Sequence, residues 1–541
     1  MISALAVGLA AAAMTTTSGA AGHVPGSAPA DPNGLSSPPS LATRPPMHRL
    51  SARRAIAIAD AVPKVRQARA RHPGSTRSAF LKGTNRWQVS YYSRKKEIAQ
   101  VTIADRTGGV LEAWTGFQVA WTMARGYPGA FGRKSVALYV WLPLCLLFLA
   151  PFVDPRRPFR WLHLDLLVLL SFSISLAFFS HGLIGISVPL AYPVLGYLLV
   201  RMLVLARGAR EPAGPLRLLV PASWLAVAIV FLVGFRIGLN VANSNVIDVG
   251  YAGVIGADKV AHGQDLYGTF PHDNEHGDTY GPVNYLAYVP FERTLGWSGR
   301  WDDLPAAHAA AIAFDLLTML GLWLLGRRVR GPTLGIALAY GWAAFPFTLF
   351  ALNSNSNDSL VALLVVLAFL AASSAPARGA LAALAGLTKF APLALAPLLA
   401  RGTGPLRVRP LALFAVGFAA AAALVSIPVL LGEDLGTFVH RTLGFQSSRG
   451  SPFSVWGLYG LPSAAQTAVQ VAAALLAVVV AFVPRRRTLV QVAALGAAVL
   501  IALQLGVTHW FYLYVVWFFP LVMLALLGRY AEPVSARPAP A

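Results

Sequence analysis

From Ser135 onward the chain is a succession of long apolar runs separated by short polar segments. The runs fall at 135–153, 161–180, 183–206, 217–239, 307–326, 332–351, 358–374, 379–400, 410–431, 463–483, 488–506 and 509–528. Each approaches the roughly 20 residues that a helix needs to cross a bilayer core. The pattern before Ser135 differs. Residues 2–14 are apolar and close on small residues from Thr15 to Gly22, which reads as a signal peptide over 1–22 without its basic leading region. A misplaced start codon would give the same pattern. Residues 23–49 are rich in Pro, Ser and Gly and read as a disordered linker. Over 50–116, Ser51 is placed to cap a helix running to about Arg71. The segments Trp87–Tyr91 and Ile98–Ile103 alternate in polarity as strands do, and a turn at Asp105–Gly109 follows.

Arginine placement sorts the apolar runs into a topology. Arg156, Arg157 and Arg160, then Arg207, Arg210 and Arg217, then Arg327, Arg328 and Arg330 alternate as cytoplasmic loops should. If the run 379–400 crossed as well, the groups Arg401/Arg407/Arg409 and Arg485/Arg486/Arg487 would lie on the opposite side. That run contains Lys389, Pro392 and Pro397, which interrupt a helix and place a charge near its middle. A segment that enters and returns to the same face puts every arginine group on one side. Such a broken run is tolerable where it is buried among helices or lines a cavity. The predicted fold is therefore an all-α polytopic membrane protein of about eleven spans plus a re-entrant broken helix, over 135–530. A small α+β domain precedes it outside the membrane, and a cytoplasmic tail, 531–541, follows it.

Composition agrees with that reading. Only 12% of the 541 residues are charged, and 56% are hydrophobic, whereas soluble domains carry about 25% charged residues. The net charge of +22 would suggest nucleic acid in a soluble protein, but here the arginines cluster between apolar runs, so no nucleic-acid partner is expected. The single cysteine, Cys145, excludes an intrachain disulfide. Nothing resembles a phosphate-cradling Gly loop or a dinucleotide motif, so no cofactor is expected. The run His272–Asp278 contains metal-capable residues without a metal-binding spacing, and no metal is expected.

In this topology, loops 240–306 and 432–462 face outward with the shorter turns Asn353–Asp358 and Thr508–His509. The first loop holds nine acids, most of which a long outer loop needs for solvation alone. Asp248 stands apart because it follows a span by only a few residues, at the depth where a lipid-linked substrate presents its head group. Arg449 offers a guanidinium fork suited to phosphate, or is a surface arginine on a loop. His509 opens the last span beside Trp510, as a phosphate ligand or as part of an aromatic belt. Lys389 is either functional, held in a buried ion pair, or snorkelling to the surface.

Four segments carry a family resemblance. "IDVGYAGVIGADKVAHGQDLYG" with "TYGPVNYLAYVP" resembles the first outer loop of GT-C glycosyltransferases, in the branch of actinobacterial polyprenol-phosphate-mannose-dependent mannosyltransferases. "RGALAALAGLTKFAPLALAPLLA" resembles that branch's broken helix, "GFQSSRGSPFSVWG" its later outer loop and "THWFYLYVVWFFPL" its terminal span. The resemblance covers about 217–530. It implies a plasma-membrane enzyme moving a sugar, mannose first, from a polyprenyl-phosphate donor to an envelope lipid or glycan acceptor. It carries the family's first-loop acid onto Asp248 as the single base of an inverting displacement, since a phosphate leaving group needs no protein acid. The chain departs here from the paired adjacent acids common in GT-C enzymes: Asp258 is ten residues from Asp248, and whether a second acid assists stays open. Arg449, His509 and Lys389 are then expected at the donor phosphate, and Tyr280, Gln446 and Asp258 near substrate. The segment 50–116, ending "VTIADRTGGVLEAWTG", resembles a PepSY-type domain. Two other readings stay open: a transporter or flippase of a lipid-linked saccharide, and a non-catalytic envelope assembly or regulatory protein.

Overall fold

The structure, a computed structural model, describes residues 34–126, 131–208 and 214–531. The expected signal peptide, the first part of the linker and nearly all of the C-terminal tail lie outside the described residues. The described residues divide into two compact units, one built on 34–126 and the other comprising nearly all that follow.

In the smaller unit an antiparallel sheet runs in sequence order through β1 (Leu35–Ser36), β2 (Thr76–Lys82), β3 (Arg86–Ser93), β4 (Lys96–Ala104) and β5 (Val110–Thr115). Trp87, Val89 and Tyr91 oppose Ile103, Val101 and Ala99 across β3 and β4. This face is covered by Ala52, Ala55, Ile56, Ala59 and Val65 from two helices, α1 (Ala52–Asp60) and α2 (Pro63–Arg71). The single helix expected from Ser51 to Arg71 is two helices. Ser51 caps the first, and Pro63, which cannot donate to a continuing helix, begins the second. The expected linker also differs. Leu35 and Ser36 pair with Lys82 and Leu81, and the amides of Arg49 and Leu50 donate to the Asp105 carboxylate at 2.8 and 3.1 Å. Backbone groups with partners of this kind are ordered despite a Pro- and Ser-rich composition.

The larger unit is helical. Among the described residues six helices are long and apolar enough to cross a membrane: α4 (Trp161–Ser180), α5 (Ile184–Arg207), α6 (Ala222–Ala242), α8 (Pro305–Arg330), α14 (Val408–Leu430) and α16 (Leu489–Gly506). The pair α9 (Pro332–Ala344) and α10 (Pro346–Asn353) makes a seventh if its 57° bend lies within one span. Shorter apolar helices occupy the other predicted runs: α3 (Leu138–Leu149), α11 (Asp358–Leu370), α15 (Ser463–Val479) and α17 (Val515–Leu527). Helix α7 (Asp248–Ala261) lies in the long connection between α6 and α8. The unit is a multi-pass membrane protein. α16 is almost wholly enclosed by its neighbours, whereas in α14 Phe414 alone is fully buried and the other residues are half-buried or exposed, as in a helix with one side toward lipid. Intramembrane charge is paired: Arg236 donates to Asp315 at 3.0 and 2.5 Å, and Trp342 donates to the same carboxylate at 2.7 Å.

Between α11 and α14 the chain doubles back. α12 (Ala375–Gly386) ends at Leu387, a 3-10 turn occupies Ala391–Leu395, and α13 (Ala396–Arg401) returns. Arg378 at the start donates to the Leu399 carbonyl near the end at 2.8 Å, so both ends of the segment lie together. At this same end of the unit Arg401 donates to the carbonyls of Ala481 and Arg485, both at 2.7 Å. Arg487 donates to Gly402 at 2.9 Å, Arg330 to Gly528 at 3.2 Å, and Arg328 to the carbonyl of Leu370.

Candidate active site

The opposite end of the larger unit gathers most of the candidate residues. Its floor is the turn Asn353–Asp358, whose six residues are all buried. The amides of Asn245 and Ile247 donate to the carbonyls of Asn353 and Ser354 at 3.1 and 3.2 Å. Asn355 donates to the Asn245 carbonyl at 3.0 Å and receives Asn240 at 2.9 Å. Gly250 makes this contact close, since a Cβ there would stand 2.1 Å from the Asn355 carbonyl oxygen. The chain is thereby fixed just before Asp248, the first residue of α7, where a carboxylate also meets the positive end of the helix dipole. Asn274 donates to the Asp248 carbonyl at 3.0 Å.

The returning segment supplies Lys389 from below. The Val283 amide donates to the Leu387 carbonyl at 3.1 Å, and Gly281 leaves room for it, a Cβ there falling 2.1 Å from the same oxygen. Lys389 Nζ lies 2.6 Å from Asp358 Oδ1, which also accepts Trp517 Nε1 at 2.8 Å. The ammonium sits 5.1–5.6 Å from the ring centres of Trp517, Tyr280 and Tyr514, an aromatic surround that favours a cation. Of the readings open for Lys389, the structure displays a buried ion pair. The second Asp358 oxygen is buried and has no hydrogen-bond partner among the described residues, a costly state for a carboxylate.

The segment after α14 supplies Arg449. Ser451 Oγ lies 2.9 Å from His509 Nδ1, and the Trp510 amide donates to the Phe453 carbonyl at 3.3 Å. Arg441 donates to Asp278 at 2.7 Å, and Glu433 accepts the amides of Leu266 and Tyr267. These contacts tie residues 433–453 to both the 265–280 stretch and the start of the last helix.

Asp248, Tyr280, Arg449 and His509 all keep accessible surface, yet Asp248, Tyr280 and His509 are ringed by protein closely enough for burial to dominate their titration. Their open surface therefore lines a recess. Burial raises the Asp248 pKa above the usual carboxylate range; Arg449, the Val249 amide and Lys389 oppose this, and Asp358 adds to it. Burial, with Arg449 and Lys389, holds His509 well below its usual value and so neutral. Tyr280 is pushed well up by burial and by Asp248, so its hydroxyl stays a donor. Two carboxylates, two cations and a neutral histidine thus share one recess with nearly balanced charge.

Two sequence candidates stand apart. Asp258 is ten residues further along α7, 3.2 Å from His262, and Gln446 is exposed. Asp358, Tyr514 and Trp517 belong to the site although nothing in the sequence singled them out. The signal available was Asp358 opening an apolar helix, an acid in need of a partner such as Lys389.

Residues 279–508 match the GT87 family, glycosyltransferase family 87. The match takes in Tyr280, Asp358, Lys389 and Arg449, covers less than half of the chain, and begins after Asp248. Among solved structures, that of ArnT from Cupriavidus metallidurans bound to undecaprenyl phosphate is similar at 18% identity and a TM-score of 0.41. The similarity covers 57% of this chain and 60% of that one, so the chain spans less than two thirds of that structure. No curated protein matches the chain.

Proposed function

We propose that the protein is a membrane glycosyltransferase that moves a sugar from a polyprenyl-phosphate donor to an envelope lipid or glycan acceptor at the outer face. The observation that carries this reading is the convergence of Asp248, Arg449, Lys389 and His509 on one recess, opposite the arginine-rich end, within a unit whose larger part matches a glycosyltransferase family. The acceptor hydroxyl oxygen bonds to the anomeric carbon while the bond from that carbon to the phosphate oxygen breaks. The electron pair leaves with the polyprenyl phosphate, and the hydroxyl proton goes to an Asp248 oxygen. Attack opposite the leaving group inverts the centre. Arg449 supplies the charge that meets the departing phosphate. Lys389 contributes less, because it shares its charge with Asp358. Neutral His509 and protonated Tyr280 supply hydrogen bonds. The resemblance favours mannose as the sugar.

The test is transfer from defined polyprenyl-phosphate sugars by the purified full chain. Asp248→Asn keeps the shape and removes the base, so the rate at saturating donor should fall about 10²–10⁴-fold, roughly 3–5 kcal/mol of barrier, with donor binding intact. Wild-type kcat/KM should fall as pH drops through a value above the usual carboxylate range, because a base with a raised pKa is protonated sooner. Full transfer by Asp248→Asn would reject the assignment. Movement of a lipid-linked saccharide across vesicles without any transfer would identify a transporter instead.

A further inference from the structure

The stretch before α8 builds an aromatic surface that the proposed chemistry does not use. Gly296 and Gly299 both adopt positive φ and allow a tight excursion that presents Trp301, which is 43% exposed. Its indole N–H donates to the Val246 carbonyl at 3.1 Å, two residues before Asp248. One ring face stacks on the fully buried Tyr251, centre to centre 4.9 Å at 29°, and Trp297 meets Tyr251 edge-on at 6.0 Å. Tyr251 lies three residues after Asp248 in α7 and donates its hydroxyl to the exposed Asp273 at 3.2 Å. Exposed Asp302 follows Trp301 directly and is held by Ser298 and the Leu304 amide.

An exposed indole whose N–H is already used offers a flat, electron-rich face. The carboxylates beside it accept hydrogen bonds and donate none. The matching ligand is rigid, uncharged and rich in hydroxyls, with a face of C–H bonds to lay on the ring. That is a saccharide. Acids at the rim disfavour an anionic lipid headgroup, and the two anchors to Val246 and Tyr251 tie the platform to the turn of backbone that carries the base. We infer that Trp301, with Asp273 and Asp302, forms a subsite for a saccharide-bearing acceptor, which orients its hydroxyl toward Asp248. This rests on the glycosyltransferase reading.

Full-length protein in nanodiscs separates the two ideas. Binding of mannobiose is followed by saturation-transfer NMR, which needs no turnover, and transfer to octyl mannoside is followed kinetically. Trp301→Ala should abolish the mannobiose signal and raise the KM for octyl mannoside at least tenfold, with donor KM unchanged and kcat within about twofold. Trp301→Phe, which keeps a ring, should retain part of both. Unchanged mannobiose binding and acceptor KM in Trp301→Ala would overturn the subsite and leave the enzyme reading standing. Equal loss of donor and acceptor use with poor membrane insertion would overturn it in favour of an interfacial anchor. Absence of transfer in the wild type, with Trp301-dependent mannobiose binding, would reject the enzyme reading and keep a saccharide site.

Discussion

The two ends of the larger unit handle charge in opposite ways. At one end Arg330, Arg378, Arg401 and Arg487 donate to main-chain carbonyls such as those of Gly528, Leu399, Ala481 and Gly402. Several of these oxygens lie at or just beyond helix C-termini, which carry partial negative charge. No acid takes part in these contacts. At the other end Lys389 faces Asp358, Arg441 faces Asp278, and Arg449 acts on Asp248. Carbonyl-bound arginines make a fixed lattice whose partners cannot titrate or move independently. Carboxylate-bound cations sit in a balance that a new anion can disturb. The first arrangement suits anchoring, and the second suits the phosphate binding and release that the proposed reaction requires.

Breaking the balanced end should have the larger effects. Asp358→Asn leaves Lys389 without its counter-charge in a buried setting, which typically costs about 3–5 kcal/mol. A marked fall in the thermal midpoint of the detergent-solubilised protein is expected. Lys389→Met with Asp358→Asn should recover much of it, and the two single losses summing in the double variant would show that the pair is not coupled.

Arg449→Ala should be milder for stability and specific in function. Losing a hydrogen bond to a charged group is worth roughly 1.5–3 kcal/mol, so donor KM should rise about ten- to a hundredfold while acceptor KM stays put. Equal changes in both would return Arg449 to a structural role.

The smallest perturbation sharpens the carbonyl-bound end. Single cysteines at Ser373 and Arg407, both exposed at the flanks of the doubled-back segment, with Cys145 removed, should both resist a membrane-impermeant thiol reagent in intact cells. Labelling at one of the two alone would mean that the segment between them crosses the bilayer.

Much of the framework is readable from residue pattern because apolar run length is a local property. Every predicted run coincides with a helix or with the doubled-back segment, and the interruption at Lys389, Pro392 and Pro397 marks where α12 stops. In the small unit, Trp87–Tyr91 and Ile98–Ile103 alternate clearly, whereas Thr76–Lys82 and Val110–Thr115 lack that alternation and become strands by pairing with neighbours. Asp248, Lys389, Arg449 and His509 are each conspicuous for charge or position. Their meeting depends on contacts between residues far apart in sequence, such as Val283 with Leu387 and Ser451 with His509. Asp358 is hidden for a related reason: in Asn353-Ser354-Asn355-Ser356-Asn357-Asp358 it looks like one more polar turn residue until the partner 31 positions away is known.

The doubled-back segment also acts as a post. Its rising helix, Ala375–Gly386, has 12 residues, about 18 Å at 1.5 Å each, against a hydrocarbon core of about 30 Å. Lys389 rides at the tip while the foot is bolted into the arginine lattice through Arg378 and Arg401. The height of the site's cation is thus measured from the far surface of the unit, not from the rim of the recess. Shortening the post by one residue would lower the tip by about 1.5 Å and turn it by about 100°, swinging the ammonium out of its aromatic surround while leaving Asp248, Arg449 and His509 in place.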